Sequence, residues 1–394
     1  MRKDTILQKF HNMKKTYIYR ACLVSLFVAF MLGSCGTSMN IISSDIPIEF
    51  KDEELQSSSV LKTQRYVKLE LSNQASIIKG INRLLCSDSL LFIVDKANNK
   101  IASFDYQGKY IASTLNLIGR AQKEYIHLLD AAIDEENQQL YVYCDIPYQM
   151  LILDYNLNVK ECVKMEELFM EITLDSAYLY ALYPNLTDRS RYEVRCYRKD
   201  NLTGEPEILL QQNKAISKVE GMGKLLNRSG NSIITCLPFD NTIYEISNGK
   251  VLRCWRVDLG DRWFDYNKSK QLRGRKFLAA NEDKHWTIQN IIASEKEIVF
   301  NTNLTNTFMV SIPTDEGIGY LRFKNNSIPF SSSWFIPTTG KYDVAFSISP
   351  AQIVDYNDYY VRRNETMPAN SINAIIQSTS IEDNPLIVLG NINR

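Results

Sequence analysis

Leu91-Phe92-Ile93-Val94-Asp95 runs on to Lys100-Ile101-Ala102-Ser103-Phe104-Asp105-Tyr106-Gln107-Gly108. Fifty residues later comes Tyr141-Val142-Tyr143-Cys144-Asp145, then Met150-Leu151-Ile152-Leu153-Asp154-Tyr155-Asn156-Leu157-Asn158. The two stretches are copies of one pattern: a strand, an Asp, a short link, a second strand, another Asp and a turn. Aliphatic, aromatic and β-branched residues in runs of this length between turn signals read as strands rather than helices. Asp105 and Asp154 suit the turns because an Asx side chain accepts a backbone N–H two residues on. Gly108 and Asn158 supply residues that tolerate positive φ, as a hairpin turn requires.

Weaker copies follow at Ala177 to Leu182, at Ser232 to Leu237 with Thr242 to Ile246, at Glu297 to Asn301 with Thr307 to Ile312, and at Asp343 to Ile348. The copies recur about every 50 residues, the spacing of propeller blades. Their near-continuous apolar strands fit sheets covered on both faces. The fold predicted is all-β, a six-bladed β-propeller over residues 64–394. A ring must close, and Arg65-Tyr66-Val67-Lys68-Leu69-Glu70-Leu71 has no hairpin partner beside it. Pairing it with Leu386-Ile387-Val388-Leu389 would join the N- and C-terminal strands and remove an open sheet edge.

At the start of the chain, Lys14, Lys15 and Arg20 precede an apolar run from Ala21 to Met31, and Leu32-Gly33-Ser34-Cys35 follows. This is the layout of an export signal, too short in its apolar part for the roughly 20 residues of a membrane-spanning helix. Residues 1–34 are therefore expected as a signal peptide and Cys35 as a lipid-attachment residue, since Leu-Gly-Ser-Cys resembles the lipobox of bacterial lipoproteins. Acyl chains on Cys35 would anchor the protein to a bilayer. From 35 to 63 the chain is polar and Ser-rich and reads as a flexible tether, so its loss should change stability little.

Six of the 45 basic and one of the 45 acidic residues fall in 1–34, leaving 39 basic against 44 acidic. That mild acidity lacks the clustered Lys and Arg on which nucleic-acid binding rests. The Cys residues form no C-x-x-C pair, only His127 and His285 remain after residue 34, and no P-loop, Gly-x-Ser-x-Gly or dinucleotide fingerprint occurs. Metal, cofactor and nucleophile motifs are thus all lacking. Asp95, Asp105, Asp145 and Asp154 sit at strand ends and read as turn caps.

Several motifs together resemble the six-bladed β-propeller lipoproteins of gut-type Gram-negative bacteria, relatives of the NHL-repeat propellers. They are Tyr66-Val67-Lys68-Leu69-Glu70 with Ile77-Ile78-Lys79-Gly80-Ile81, the blade pattern of Asp95 and Asp105 to Gly108, Asp240-Asn241-Thr242-Ile243-Tyr244, and Asp383-Asn384-Pro385-Leu386. The resemblance implies the propeller fold and a cell-envelope location, outer membrane included, and carries no agreed activity. The family's Gly-Arg-Gly-Pro-Gly-Glu-Tyr-like loop stands here as Gly119-Arg120-Ala121-Gln122-Lys123-Glu124-Tyr125, with its Gly-Pro turn lost. Arg120, Glu124 and Tyr125 combine a planar cation, a carboxylate and an aromatic on a blade-to-blade connection, and form the candidate ligand or partner loop. The stretch Trp263 to His285, with Lys268, Lys270, Arg273, Arg275 and Lys276, lacks strand alternation and reads as an insertion that a partner could meet. The expected function is a lipid-anchored binding module for a glycan or an envelope protein. The alternatives are a carbohydrate hydrolase or lyase on the same scaffold, and a structural subunit of an envelope complex.

Overall fold

Short apolar strands separated by Asp, Asn and Gly turns dominate the chain. The computed structural model describes residues 41–185, 191–212, 223–304, 306–324, 335–368 and 372–392. The signal segment and Cys35 lie outside the described residues. The strands assemble into successive antiparallel four-stranded units. The first unit is Arg83–Cys86, Leu90–Asp95, Lys100–Asp105 and Tyr110–Ser113. The second is His127–Asp134, Gln139–Asp145, Gln149–Asp154 and Val159–Lys164. A third runs from Glu171–Leu174 to Glu207–Gln211, a fourth from Leu226–Ser229 to Lys250–Asp258, and a fifth from Ile288–Ala293 to Glu316–Tyr320. The last comprises Ile336–Gly340, Val344–Ile348, Leu386–Ile392 and, from the other end of the chain, Leu61–Lys68. There Tyr66 lies opposite Val388 and Val67 opposite Ile387.

Alternation along each strand feeds two apolar layers. In the first unit, Leu91 and Ile93 pack toward Val67, Ile387 and Leu389 of the last unit, whereas Phe92 and Val94 pack toward Leu140 and Val142 of the second. Covered on both faces, such strands read as nearly unbroken apolar runs. The first strand of each unit is the inner one. Those of the last and first units run parallel, with Thr338 opposite Leu84 and Gly340 opposite Cys86.

Turn chemistry largely follows the sequence. Asp105 accepts the N–H groups of Gln107 and Lys109 at 2.9 Å, and Asp154 those of Asn156 and Asn158 at 3.0 and 2.9 Å. Gly108 has φ +87°. In the second copy the positive φ falls on Leu157, at +63°, and not on Asn158. Leu157 tolerates it because its side chain is buried in the layer between the first two units.

The stretch expected to be a tether is largely built into the fold, and the compact unit begins at Ile42. Ile42–Phe50 is a strand laid on the outer rim. Residues Ile42 to Pro47 run parallel to Arg253 through Asp258 of the fourth unit, and Ile48 to Phe50 parallel to Gly317 through Gly319 of the fifth. Ile46 is fully buried. Alternate glycines make the groove: a β-carbon on Gly317 would stand 2.2 Å from Ile48 Cδ1, and one on Gly319 would stand 3.0 Å from the Phe50 ring. The Arg262 guanidinium lies 3.6 Å over the Phe50 ring, and His285 stacks beside it. Leu55–Gln56 then pairs with Phe323–Lys324 before the chain enters Leu61–Lys68.

Two further departures are helical. Pro350–Arg363 is a 14-residue helix between two strands of the last unit, opened by a Ser349/Gln352 capping box and closed by Asn364 in the left-handed region. The insertion follows a 3-10 turn at Gly260–Arg262 and folds as short helices at Tyr266–Ser269 and Arg275–Ala280. Phe264 and Phe277 pin it against Phe239 and Trp286, while its five basic side chains remain exposed.

Candidate functional site

The inner strands bring charged side chains to the ring axis at two levels. Near the strand starts lies a buried network. Arg83, only 2% exposed, donates through Nη1 to Asp130 Oδ2 and to the Ile172 carbonyl, each at 2.5 Å, and through Nη2 to the Leu226 carbonyl at 2.6 Å. Lys224 Nζ reaches Asp130 Oδ1 at 3.2 Å, and the Ile172 N–H donates to Asp130 Oδ2 at 2.9 Å. Glu171 accepts the N–H groups of Leu225 and Leu226 at 3.1 and 2.9 Å. Burial opposes charge on Asp130, but Arg83 and Lys224 outweigh it and hold its carboxyl below the ordinary range. Lys96 keeps contact with solvent over this layer, where burial and the Lys224 charge lower its pKa. Arg83, Asp130, Glu171 and the Leu226 carbonyl belong to the first four units in turn, so one network ties all four. Its hydrogen-bonding capacity is spent on the ring itself, leaving little for a ligand.

At the opposite ends of the inner strands a second set of charged side chains gathers. Glu135, just past His127–Asp134, projects across the mouth. Its Oε2 lies 3.6 Å from Arg228 Nη1 of the fourth unit, and a β-carbon on Gly340 of the last unit would come within 3.0 Å of its Oε1. The mouth continues into a cavity of about 360 Å³ lined by Asp134, Glu135, Asp175, Arg228, Asn231 and Asn248. Two of these acids are already engaged. Asp134 pairs with Lys199 Nζ at 2.5 Å, and Asp175 accepts from the Ala177, Tyr178 and Asn248 N–H groups and the Tyr180 hydroxyl. Glu135 is held differently. Burial raises its pKa, Arg228 pulls it back, and Asp88 of the first unit and Asp134 push it up again. The Tyr155 hydroxyl is sheltered from solvent without a hydrogen-bond partner. Its ring packs on Phe92 at 5.1 Å, and burial, then Glu135, Asp134 and Asp88, raise its pKa.

A carboxyl with a raised pKa and a guanidinium make a mouth that both donates and accepts hydrogen bonds. The ionised form of Glu135 is disfavoured by folding, so that cost is present above its folded pKa and relieved as pH falls through it. Glu135→Gln is therefore expected to melt at the parent temperature or about 1–3 °C higher at pH 7, and like the parent in acid. Melting curves across pH check this, and a large loss of stability at pH 7 would contradict it.

The candidate loop is divided by the structure. Tyr125 is fully buried, its hydroxyl 2.7 Å from Thr114 Oγ1 and donating to the Asn99 carbonyl at 3.0 Å. Glu124 turns back to accept the Ala121 N–H at 2.8 Å, replacing by side chain the turn that the missing Gly-Pro would have made. Arg120 is exposed on the strand-start side. The structure thus does not bring the three together as one surface. Among the other sequence candidates, Asp95 caps its turn through Lys79 and Asn98, and Asp145 pairs with the exposed His127 at 2.8 Å. Burial, and then Arg262, lower the His285 pKa to about 4, with Nδ1 2.8 Å from Thr302 Oγ1, which suits a neutral packing residue. The described cysteines are free, and most are buried. Glu135, Arg228 and Tyr155 were missed, although the signal was present. Setting the repeats in register places Asp88, Glu135 and Asp175 at the same turn after the inner strand of the first three copies.

The family model described as Domain of unknown function (DUF4934) matches residues 43–391. Among solved structures, a protein of Bacteroides fragilis NCTC 9343 described as exported is similar at TM-score 0.66 and 13% identity, over 89% of this chain and 100% of its own. The WD40 β-propeller domain of Doa1 is similar at TM-score 0.38 and 10% identity, over 74% of this chain and 77% of its own. BamB from Moraxella catarrhalis gives 0.39 and 6%, over 65% of each chain. At such identities the likeness concerns fold alone. No curated protein matches this chain. With a β-propeller fold and a family match across almost all of its described residues, the chain belongs to the DUF4934 family.

Proposed function

We propose that this chain is an exported lipoprotein, anchored through Cys35 to the cell envelope, whose six-bladed propeller binds a hydroxyl-rich ligand such as a glycan at the strand-end mouth. Export is supported by the signal layout and by the exported relative, and anchoring by Leu32-Gly33-Ser34-Cys35. The blade count and the closure draw support from the antiparallel four-stranded units and from Leu61–Lys68 lying beside Leu386–Ile392.

The observation that carries the binding reading is the axial mouth. Glu135 of the second unit and Arg228 of the fourth converge there, in a cavity sized for one or two sugar rings. Sugar hydroxyls donate and accept, as these groups do. Titration calorimetry with a panel of neutral oligosaccharides tests it. Binding by the parent that falls at least tenfold in Arg228→Ala and Glu135→Ala, with melting little changed, supports the reading. A panel that binds neither parent nor variants contradicts it.

A second reading has its own support. Glu135 has the raised pKa of a general acid in glycoside hydrolysis, and the charge of Asp88 acts on it from another unit. Mass spectrometry of the same oligosaccharides after incubation separates the readings, because shortened products that vanish in Glu135→Gln would make the mouth an active site. Arg120 and the exposed basic insertion, both on the strand-start side, suit contact with an envelope protein.

A further inference from the structure

Six residues, 36–41, separate Cys35 from Ile42, the first residue of the compact unit. A fully extended chain spans at most ~3.3–3.6 Å per residue, so the seven steps from Cys35 to Ile42 reach no further than roughly 25 Å. A tether of 35–63 would have reached about 100 Å and left the propeller free to tumble above the membrane. The rim strand removes that freedom, because it fixes where the chain leaves the fold. Ile42 lies beside Arg253, near the strand-end edge of the fourth unit, and Pro47 lies beside Asp258.

We infer that the rim of the fourth and fifth units around Ile42 is the membrane-facing surface of this protein, held close against a phospholipid headgroup layer. The inference rests on the lipid-anchor reading of Cys35. The surface there has the chemistry such a layer takes. Ile42 is 59% exposed and Leu252 37%, unusually open for large apolar side chains. Lys250, Arg253 and Lys296 are exposed on the outer parts of these two units, Arg253 opposite Ile42 and near Glu245. Apolar side chains among cations fit the headgroup–acyl boundary of an anionic bilayer, and each cation near such a surface adds attraction that salt screens. The strand Ile42–Phe50 cannot readily peel off to lengthen the tether. Ile46 is buried, and Ile48 and Phe50 occupy the groove over Gly317 and Gly319. The second unit lies across the ring from this rim, so its outer strand Val159–Lys164 would face away from the membrane.

The test uses the full lipoprotein purified from membranes and reconstituted in phosphatidylethanolamine–phosphatidylglycerol vesicles that carry an acceptor-labelled lipid. A donor dye is placed through an azide-bearing residue at Lys250 or, separately, at Glu161 on the far outer strand. Energy transfer to the lipid is expected to be several-fold more efficient from position 250 than from 161. About 20 Gly-Ser residues inserted after Gly36 should bring the two close to equality, since such a linker adds roughly 25 Å of root-mean-square reach. Equal transfer from both positions in the parent, with the protein vesicle-bound, overturns the inference and leaves the lipid anchor standing. A parent that carries no fatty acid and does not bind vesicles overturns the anchor reading and the inference together.

Discussion

Deleting Ile42 to Phe50 from the mature chain is expected to lower stability by about 4–6 kcal/mol and to promote aggregation. Ile46 is fully buried, and Ile48 and Phe50 pack into the same layer. Burying an Ile or Phe side chain contributes ~1.5–3 kcal/mol each. The deletion would also bare two outer strands whose backbone groups now pair with this segment, and open edges of that kind recruit other chains. Removing only Gly36 to Ile41 should leave the melting temperature unchanged. The contrast between the two truncations is the measurement. Equal melting would mean that the rim strand contributes nothing, as a tether would.

Asp130→Asn is expected to cost about 3–5 kcal/mol, because it leaves Arg83 and Lys224 in a buried site without the carboxylate they share. Pairing it with Arg83→Met should recover part of that loss, since replacing both partners removes the uncompensated charge. The pH dependence follows from the same contacts. The folded-state pKa of Asp130 is depressed, so its contribution is complete above the unfolded value, ~4, and is lost as pH falls through the folded one. Denaturant titrations below pH 4 should accordingly show the parent losing stability faster than Asp130→Asn. Parallel acid profiles would remove Asp130 from that role.

The strands and their repeat were legible because blade sheets are covered on both sides and announce themselves by composition, as at Leu91 to Val94 and Leu140 to Cys144. The terminal strand at Tyr66 was legible for want of a neighbour. The rim strand was hidden by its polar setting, although Ile46, Ile48 and Phe50 keep strict period two. Its partners, Gly317 and Gly319, lie some 270 residues on, and their fit is a property of space rather than of sequence. The helix Pro350–Arg363 carried its signal in Ser349-Pro350 with Gln352, a capping box inside an apparent loop. The mouth was least legible. Glu135 looks like any turn acid until the fold sets it beside Arg228 and Gly340, and Tyr125 looks exposed until the layer of Leu128 and Leu140 buries it.

The claim that the strand-end mouth captures a hydroxyl-rich ligand is tested most directly in the cell envelope. The full-length protein and its Glu135→Ala/Arg228→Ala double variant would be purified from native membranes under mild detergent, and bound saccharide released and quantified by mass spectrometry. Near-stoichiometric saccharide on the parent, at least tenfold less on the double variant and matching melting curves are the result expected. Equal saccharide on both, or none on either, would contradict the account.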